Sequence, residues 1–167
     1  MTRPAAILWP ALLLAAAAGG CVPPAGPSAT PPAAVDEVDA IVVLSAPVAS
    51  DWDGRPGPDG LNVSVHLWRA DRNLPVTARG RLEFVLYEGV LHAADLPTAR
   101  PLESWSFPGQ VLPRHLGRSI AGWGYAFRLP WSRPPSTSAV TLMTRYVSPT
   151  GQTLAVEQPT VVTVRGT

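Results

Sequence analysis

The residues best suited to chemistry sit in Asp51-Trp52-Asp53-Gly54-Arg55-Pro56-Gly57-Pro58-Asp59-Gly60. Asp51, Asp53 and Asp59 place three carboxylates within nine residues, and the glycines let the backbone wrap tightly. Calcium takes about six to eight oxygen ligands, and an acidic, glycine-rich loop can offer carboxylates and carbonyls to it. The match to an EF-hand loop is poor. Arg55 stands at the third ligand position, Pro56 at the turn glycine and Asn62 at the closing glutamate. Two readings stay open: an irregular Ca2+ loop, or a polar turn in which Asp51 and Asp59 accept nearby backbone N–H groups. Asp-Gly and Pro-Gly are common turn signals and favour the turn.

Aromatic rings form the second set. Trp52, Trp68, Trp105, Trp123 and Trp131 follow the first apolar segment. Trp68 alternates with His66 on the polar side of a strand pattern, and Tyr87 holds a similar place in the next one. His66, Trp68 and Tyr87 are therefore a candidate ligand platform, with flat rings for sugar faces and a polar neighbour for hydroxyls. Burial of that face beneath another sheet or a long loop is the alternative. His66, His92 and His115 lack zinc-site spacing, so no confident metal site is expected. Gly117-Arg118-Ser119-Ile120-Ala121-Gly122 misses G-x-S-x-G by one position, and Ser119 reads as a loop residue rather than a nucleophile. Arg114, His115 and Arg118 make a small basic cluster, read as solvated charge. No catalytic residue is assigned.

Composition bounds what these groups can serve. The 167 residues carry 13 basic and 12 acidic side chains, and every basic residue is arginine. A net charge of +1 offers no field for nucleic acid. One cysteine, Cys21, can form neither an internal disulfide nor a thiolate metal cage.

The N-terminal stretch 1–20 reads as a signal peptide. Arg3 is its only charge, and Ala5 to Ala18 is a 14-residue apolar run interrupted by Pro10. A membrane-spanning helix needs about 20 apolar residues, so this run has signal-peptide length instead. Ala18-Gly19-Gly20-Cys21 follows. This box resembles the signal of bacterial lipoproteins. The resemblance implies cleavage before Cys21, a diacylglycerol on its sulfur and an acyl group on its new amino terminus. An ordinary secretory signal cut after Ala16-Ala17-Ala18 is the alternative, but it would leave an unpaired thiol in an oxidising compartment. Val22 follows the cysteine where aspartate marks inner-membrane retention in Gram-negative lipoproteins, so the resemblance implies an outer-membrane location there. Loss of Arg3 leaves 12 basic and 12 acidic residues, and electrostatics then favours no anionic surface.

Residues 21–34 are expected to be a tether. Five of the 13 residues from Val22 to Ala34 are proline and none is charged. Such a segment spaces rather than folds, and at about 3.1 Å per residue it would hold the folded part clear of a membrane.

Residues 35–167 have the size of one domain. Their periodicity is two: Leu61, Val63, Val65 and Leu67; Leu82, Phe84 and Leu86; Trp123, Tyr125, Phe127 and Leu129; Val140, Leu142, Thr144 and Tyr146. Ala40–Leu44, 104–107, 152–156 and 160–165 add shorter β-rich runs. Ser148-Pro149-Thr150-Gly151 is a type I turn signal closing a hairpin. Helix is expected only as a short turn at 90–96 or 113–118, because proline and glycine interrupt every longer stretch. The pattern predicts an all-β chain, a single antiparallel sandwich of about eight strands.

Leu61-x-Val63-x-Val65, then Asp71-x-Asn73-x-Pro75-Val76, Leu82-x-Phe84 and Glu88-Gly89, resembles the strand–turn–strand core of bacterial immunoglobulin-like and transthyretin-like domains. The resemblance covers residues 61–89. It implies a sandwich used in adhesion, spacing or polymer binding. Together these features predict a non-enzymatic cell-envelope lipoprotein: a structural or protein-interaction module, membrane-bound through its lipid, with an envelope protein or glycan as partner and no nucleic acid. A carbohydrate-binding sandwich is the first alternative and a small hydrolase the second. No cofactor is expected beyond the Ca2+ candidate.

Overall fold

In each long strand, alternate residues are apolar, so each can bury one face only against a second layer. The computed structural model describes residues 30–164. The signal segment, Cys21 and residues 22–29 of the tether lie outside them. Nine strands follow in order: β1 (Ala40–Ser45), β2 (Gly60–Trp68), β3 (Arg81–Glu88), β4 (Glu103–Phe107), β5 (Leu116–Ser119), β6 (Gly122–Pro130), β7 (Ala139–Val147), β8 (Thr153–Ala155) and β9 (Thr160–Thr163). One sheet has the order β1-β2-β6-β5, the other β4-β3-β7-β8, with β9 pairing the remaining length of β7. All pairings between these strands are antiparallel.

The two inner faces meet in one core. Leu61, Val63, Val65 and Leu67 of β2 and Tyr125, Phe127 and Leu129 of β6 face Leu82, Phe84 and Leu86 of β3 and Val140, Leu142 and Tyr146 of β7. Phe84 sits edge-on to Phe127 and Phe107 at 5.0 and 5.8 Å between centroids, a favoured aromatic arrangement. The alternation expected on β7 holds along its whole inner face, Thr144 included. Trp123 is only half-buried, because it lies at the end of β6 next to the β5–β6 turn.

β5 is the strand that periodicity did not announce. Leu-Gly-Arg-Ser has no alternating pattern, and it pairs through its backbone with β6 from Leu116↔Tyr125 to Ser119↔Gly122. Gly122, at φ +100°, makes the tight return possible. Helical structure among the described residues is limited to a 3₁₀ turn at Leu112–His115, which starts one residue before the expected 113–118 stretch and gives way to β5 at Leu116. Gly151, at φ +90°, closes the β7–β8 hairpin by donating its N–H to the Ser148 carbonyl.

Two buried phenols tie the segment before β3 to the core. The Tyr125 hydroxyl accepts the Ala78 N–H at 2.9 Å. The Tyr146 hydroxyl accepts the Gly80 N–H at 3.1 Å and donates to the Asp36 carbonyl at 2.6 Å. Burial raises both phenol pKa values above the ordinary 10.0. Below that ordinary value both states hold neutral phenols and the stability is fully present; as pH climbs toward the raised values, the unfolded chain ionises first and stability is lost. Urea midpoints should therefore fall steeply on the alkaline side. Phenolate absorbance should show Tyr125 and Tyr146 titrating only as the domain unfolds. Early, reversible titration of all tyrosines with the fold intact would contradict this.

Candidate functional site

The acidic loop joins β1 to β2. Before it, Pro47–Ala49 run beside β9: Ala49 N–H donates to the Thr163 carbonyl, and Thr163 N–H to the Pro47 carbonyl. The chain then turns through 51–59 at the end of the sandwich away from the tether. Asp51, Asp53 and Asp59 converge, with one carboxylate oxygen of each within 4.8 Å of the others. One oxygen of each also accepts backbone N–H groups. Asp51 accepts the N–H groups of Asp53 and Gly54 at 3.1 and 2.8 Å. Asp59 accepts those of Trp52 and Asp53, and Asp53 accepts that of Arg55 at 2.9 Å. This is the hydrogen-bond set of a polar turn. The Trp52 ring packs beside Gly60, and the Arg128 guanidinium lies 5.6 Å from the ring centroid.

Asp59→Ala should cost about 1–3 kcal/mol, the loss of two hydrogen bonds to a charged acceptor. Asp53→Ala, at an exposed position, should stay within about 0.5 kcal/mol. Thermal melts with calcium and with chelator check both. A turn shows the same loss in each buffer; a loss confined to the calcium buffer would make the triad an ion site.

The aromatic platform does not assemble. His66 and Trp68 share the outer face of the β1-β2-β6-β5 sheet, as the register Val42↔His66 and Ala40↔Trp68 requires. Tyr87 lies on the outer face of the other sheet, only 8% exposed, packed with Val85 and Leu96 under the loop that joins β3 to β4. The reason is topological: β2 and β3 are consecutive in sequence but belong to different layers, so their outward residues point in opposite directions. His66 is 3% exposed. Its Nδ1 lies 3.1 Å from the Trp123 carbonyl, which can only accept, so that nitrogen carries the proton. Its ring covers Gly124, where a Cβ would lie 2.6 Å from it. Trp68 is half-buried and its indole N–H has no partner.

The remaining chemistry-bearing groups have structural tasks. The His115 ring stacks on Phe127 at 4.6 Å, and its Nδ1 donates to the Ala126 carbonyl at 3.2 Å. Ser119 Oγ donates to the Gly122 carbonyl and accepts the Ala121 N–H inside the β5–β6 turn. His92 N–H donates to the Asp95 carboxylate in the β3–β4 loop. Trp105 and Trp131 donate their indole N–H groups to the Pro130 and Pro58 carbonyls.

Two features with no motif signature stand out instead. The first is the edge strand β1, Ala-Ile-Val-Val-Leu-Ser. It pairs with β2 on one side, and no described strand pairs with the other. Its outward residues Val42 and Leu44 are 42% and 50% exposed. The second is a groove of about 510 Å³ on the same outer face, floored by Ser64 and Ala126 and flanked by Leu44, Asn62 and Arg128.

Comparison with protein-family models, with curated proteins and with solved structures finds no match.

Proposed function

We propose that this chain is a cell-envelope lipoprotein whose sandwich is a non-enzymatic protein-interaction module. It is presented on the Cys21 anchor and takes an extended segment of another envelope protein along β1. The state of edge β1 carries this reading. Natural sheet edges are blunted by charge, brevity, bulges or cover. The other edges here follow that rule. β4 holds Glu103 and is fastened through Trp105, β5 is four residues with Arg118, and β8 and β9 are three and four residues with the chain leaving the ladder between them. β1 is six residues long, uncharged and apolar on both faces. Left unused, such an edge invites uncontrolled pairing. Used, it gives main-chain hydrogen bonds for affinity, and the groove beside Leu44 gives a pocket for side-chain selection.

The strand order supports the immunoglobulin-like resemblance. Lettered in sequence it is A-B-E-D facing C′-C-F-G. That order fixes architecture and leaves function to the surface.

A photoreactive residue placed at Val42 or Leu44 of the full-length protein in cells tests the reading. The expected result is an adduct with a peptide of one envelope protein, absent from the same probe at Val161. Val42→Lys with Leu44→Lys should weaken it at least about tenfold, because lysine on an edge opposes strand addition. Adducts only with a second copy of this chain, or none, would overturn the proposal. The glycan alternative keeps one half-buried ring, Trp68, without Tyr87. It would gain only if Trp68→Ala abolished binding to an envelope glycan with the fold intact.

A further inference from the structure

We infer that Leu74 and Ile120, at the tips of two adjoining loops, dip into the lipid bilayer that holds the anchor, so the domain sits tether-end down on the membrane. The inference rests on the lipoprotein reading of Cys21. Leu74 is 71% exposed and Ile120 fully exposed. Both belong to tight, locally braced turns. The β2–β3 loop closes through Arg72 N–H to the Arg69 carbonyl and Val76 N–H to the Leu67 carbonyl. The β5–β6 turn is braced by Ser119. The two turns touch: Pro75 lies so close to Gly122 that a Cβ there would be 2.9 Å from its Cδ. Presenting two bare branched side chains on adjoining turns at one end is costly in water and suited to an apolar medium.

The chain's exit says which medium. Thr77 Oγ1 donates to the Pro32 carbonyl, and Arg79 to the Ala34 carbonyl. The tether therefore leaves the domain three residues from Leu74, within about 11 Å of chain. From Pro31 back to Cys21 is ten residues, a reach of at most about 36 Å. A lipid on Cys21 thus keeps this end, where the chain leaves the domain, within that reach of the bilayer.

Arg69 pairs with Asp71 and Arg79 with Asp36, and the Asp39 carboxylate takes the Ala70 N–H. Glu37 also lies on this end. Arg72 and Arg118, next to the tips in sequence, form no ion pair among the described residues, and neither do Glu37 and Asp39, so this end carries no net charge and the apolar tips supply the attraction. Two side chains could not recruit a free protein. A tether this short supplies an effective concentration near the millimolar range, at which weak insertion orients the domain. The proline-rich segment then limits height above the membrane rather than holding the domain clear of it.

The test uses the full-length protein, processed in cells and reconstituted into phosphatidylethanolamine–phosphatidylglycerol vesicles containing doxyl lipid. Cys21 is the only cysteine and its sulfur would be in thioether linkage, so Ile120→Cys takes a fluorophore selectively. Val90→Cys is the control, exposed and at the opposite end, beyond the last residue of β3. The expected result is doxyl quenching several-fold stronger at 120 than at 90, reduced several-fold by Leu74→Asp. Equal or absent quenching on acylated, vesicle-bound protein would overturn the inference and leave the lipoprotein reading standing. An unacylated residue 21 in the N-terminal mass spectrum, with no vesicle binding, would overturn both.

Discussion

Tyr146→Ala is expected to destabilise the domain by about 4–7 kcal/mol, a large share of the roughly 5–15 kcal/mol available to a folded chain. Two losses combine. Tyr146 is essentially fully buried in the core, so truncation leaves a ring-sized cavity. Its hydroxyl also satisfies the Gly80 N–H and the Asp36 carbonyl. Gly80 lacks a side chain where the ring lies against it: a Cβ would be 2.5 Å from the ring carbon Cζ. Tyr146→Phe separates the terms. It keeps the ring and should cost only about 1–3 kcal/mol. Its effect should be local, because the lost bonds hold only the segments just before β1 and β3. Hydrogen exchange at the Val35 and Arg79 N–H groups, which pair with the Thr77 and Val35 carbonyls, should speed up while the β3–β7 ladder stays protected. Urea unfolding with an unchanged slope measures both costs. A phenylalanine variant as unstable as the alanine one would show that the hydrogen bonds, and not the ring, set the stability.

The contrast between Tyr146 and Tyr87 shows where sequence reading succeeds and where it stops. Tyr146 follows Val140, Leu142 and Thr144 at period two, and all four are buried. Periodicity reports which residues share a face, and the strands of a sandwich obey it. It does not report which sheet a strand joins. Trp68 and Tyr87 therefore looked alike and lie on opposite outer faces. The loop from 89 to 102 that covers Tyr87 carries no repeat at all. β5 escaped for a related reason: Leu116–Ser119 is held by backbone pairing to β6, which leaves no mark in side-chain pattern. The acidic loop was legible as a turn because aspartate beside glycine has a local mechanism. Edge β1 was legible as a strand but not as an edge, because which described strands leave its far side unpaired is a property of the assembled sheets.

Cys21→Ala is expected to move the protein from the membrane fraction to the soluble envelope extract, essentially completely. Each buried methylene contributes about 0.8 kcal/mol, and stable anchoring takes more than one acyl chain. The resemblance implies two or three chains on Cys21. Net charge does not replace them. The part after residue 20 has 12 basic and 12 acidic residues, so anionic lipid exerts no net pull on it. On the inferred insertion, Leu74 and Ile120 would bury only two side chains, worth about 1.5–3 kcal/mol each at most. That suffices to orient a tethered domain and fails to hold a free one. A signal left uncut is the one confounder. Its 14-residue apolar run is short of the roughly 20 needed to span, but the mature N-terminal mass should be recorded for each variant. If cleavage instead follows Ala18, the wild-type protein is already soluble and the substitution changes nothing. The same fractionation then removes the anchor, the confinement of the tether end and the membrane contact of Leu74 and Ile120 together. Edge β1 would remain, because its unpaired side belongs to the fold and not to the lipid.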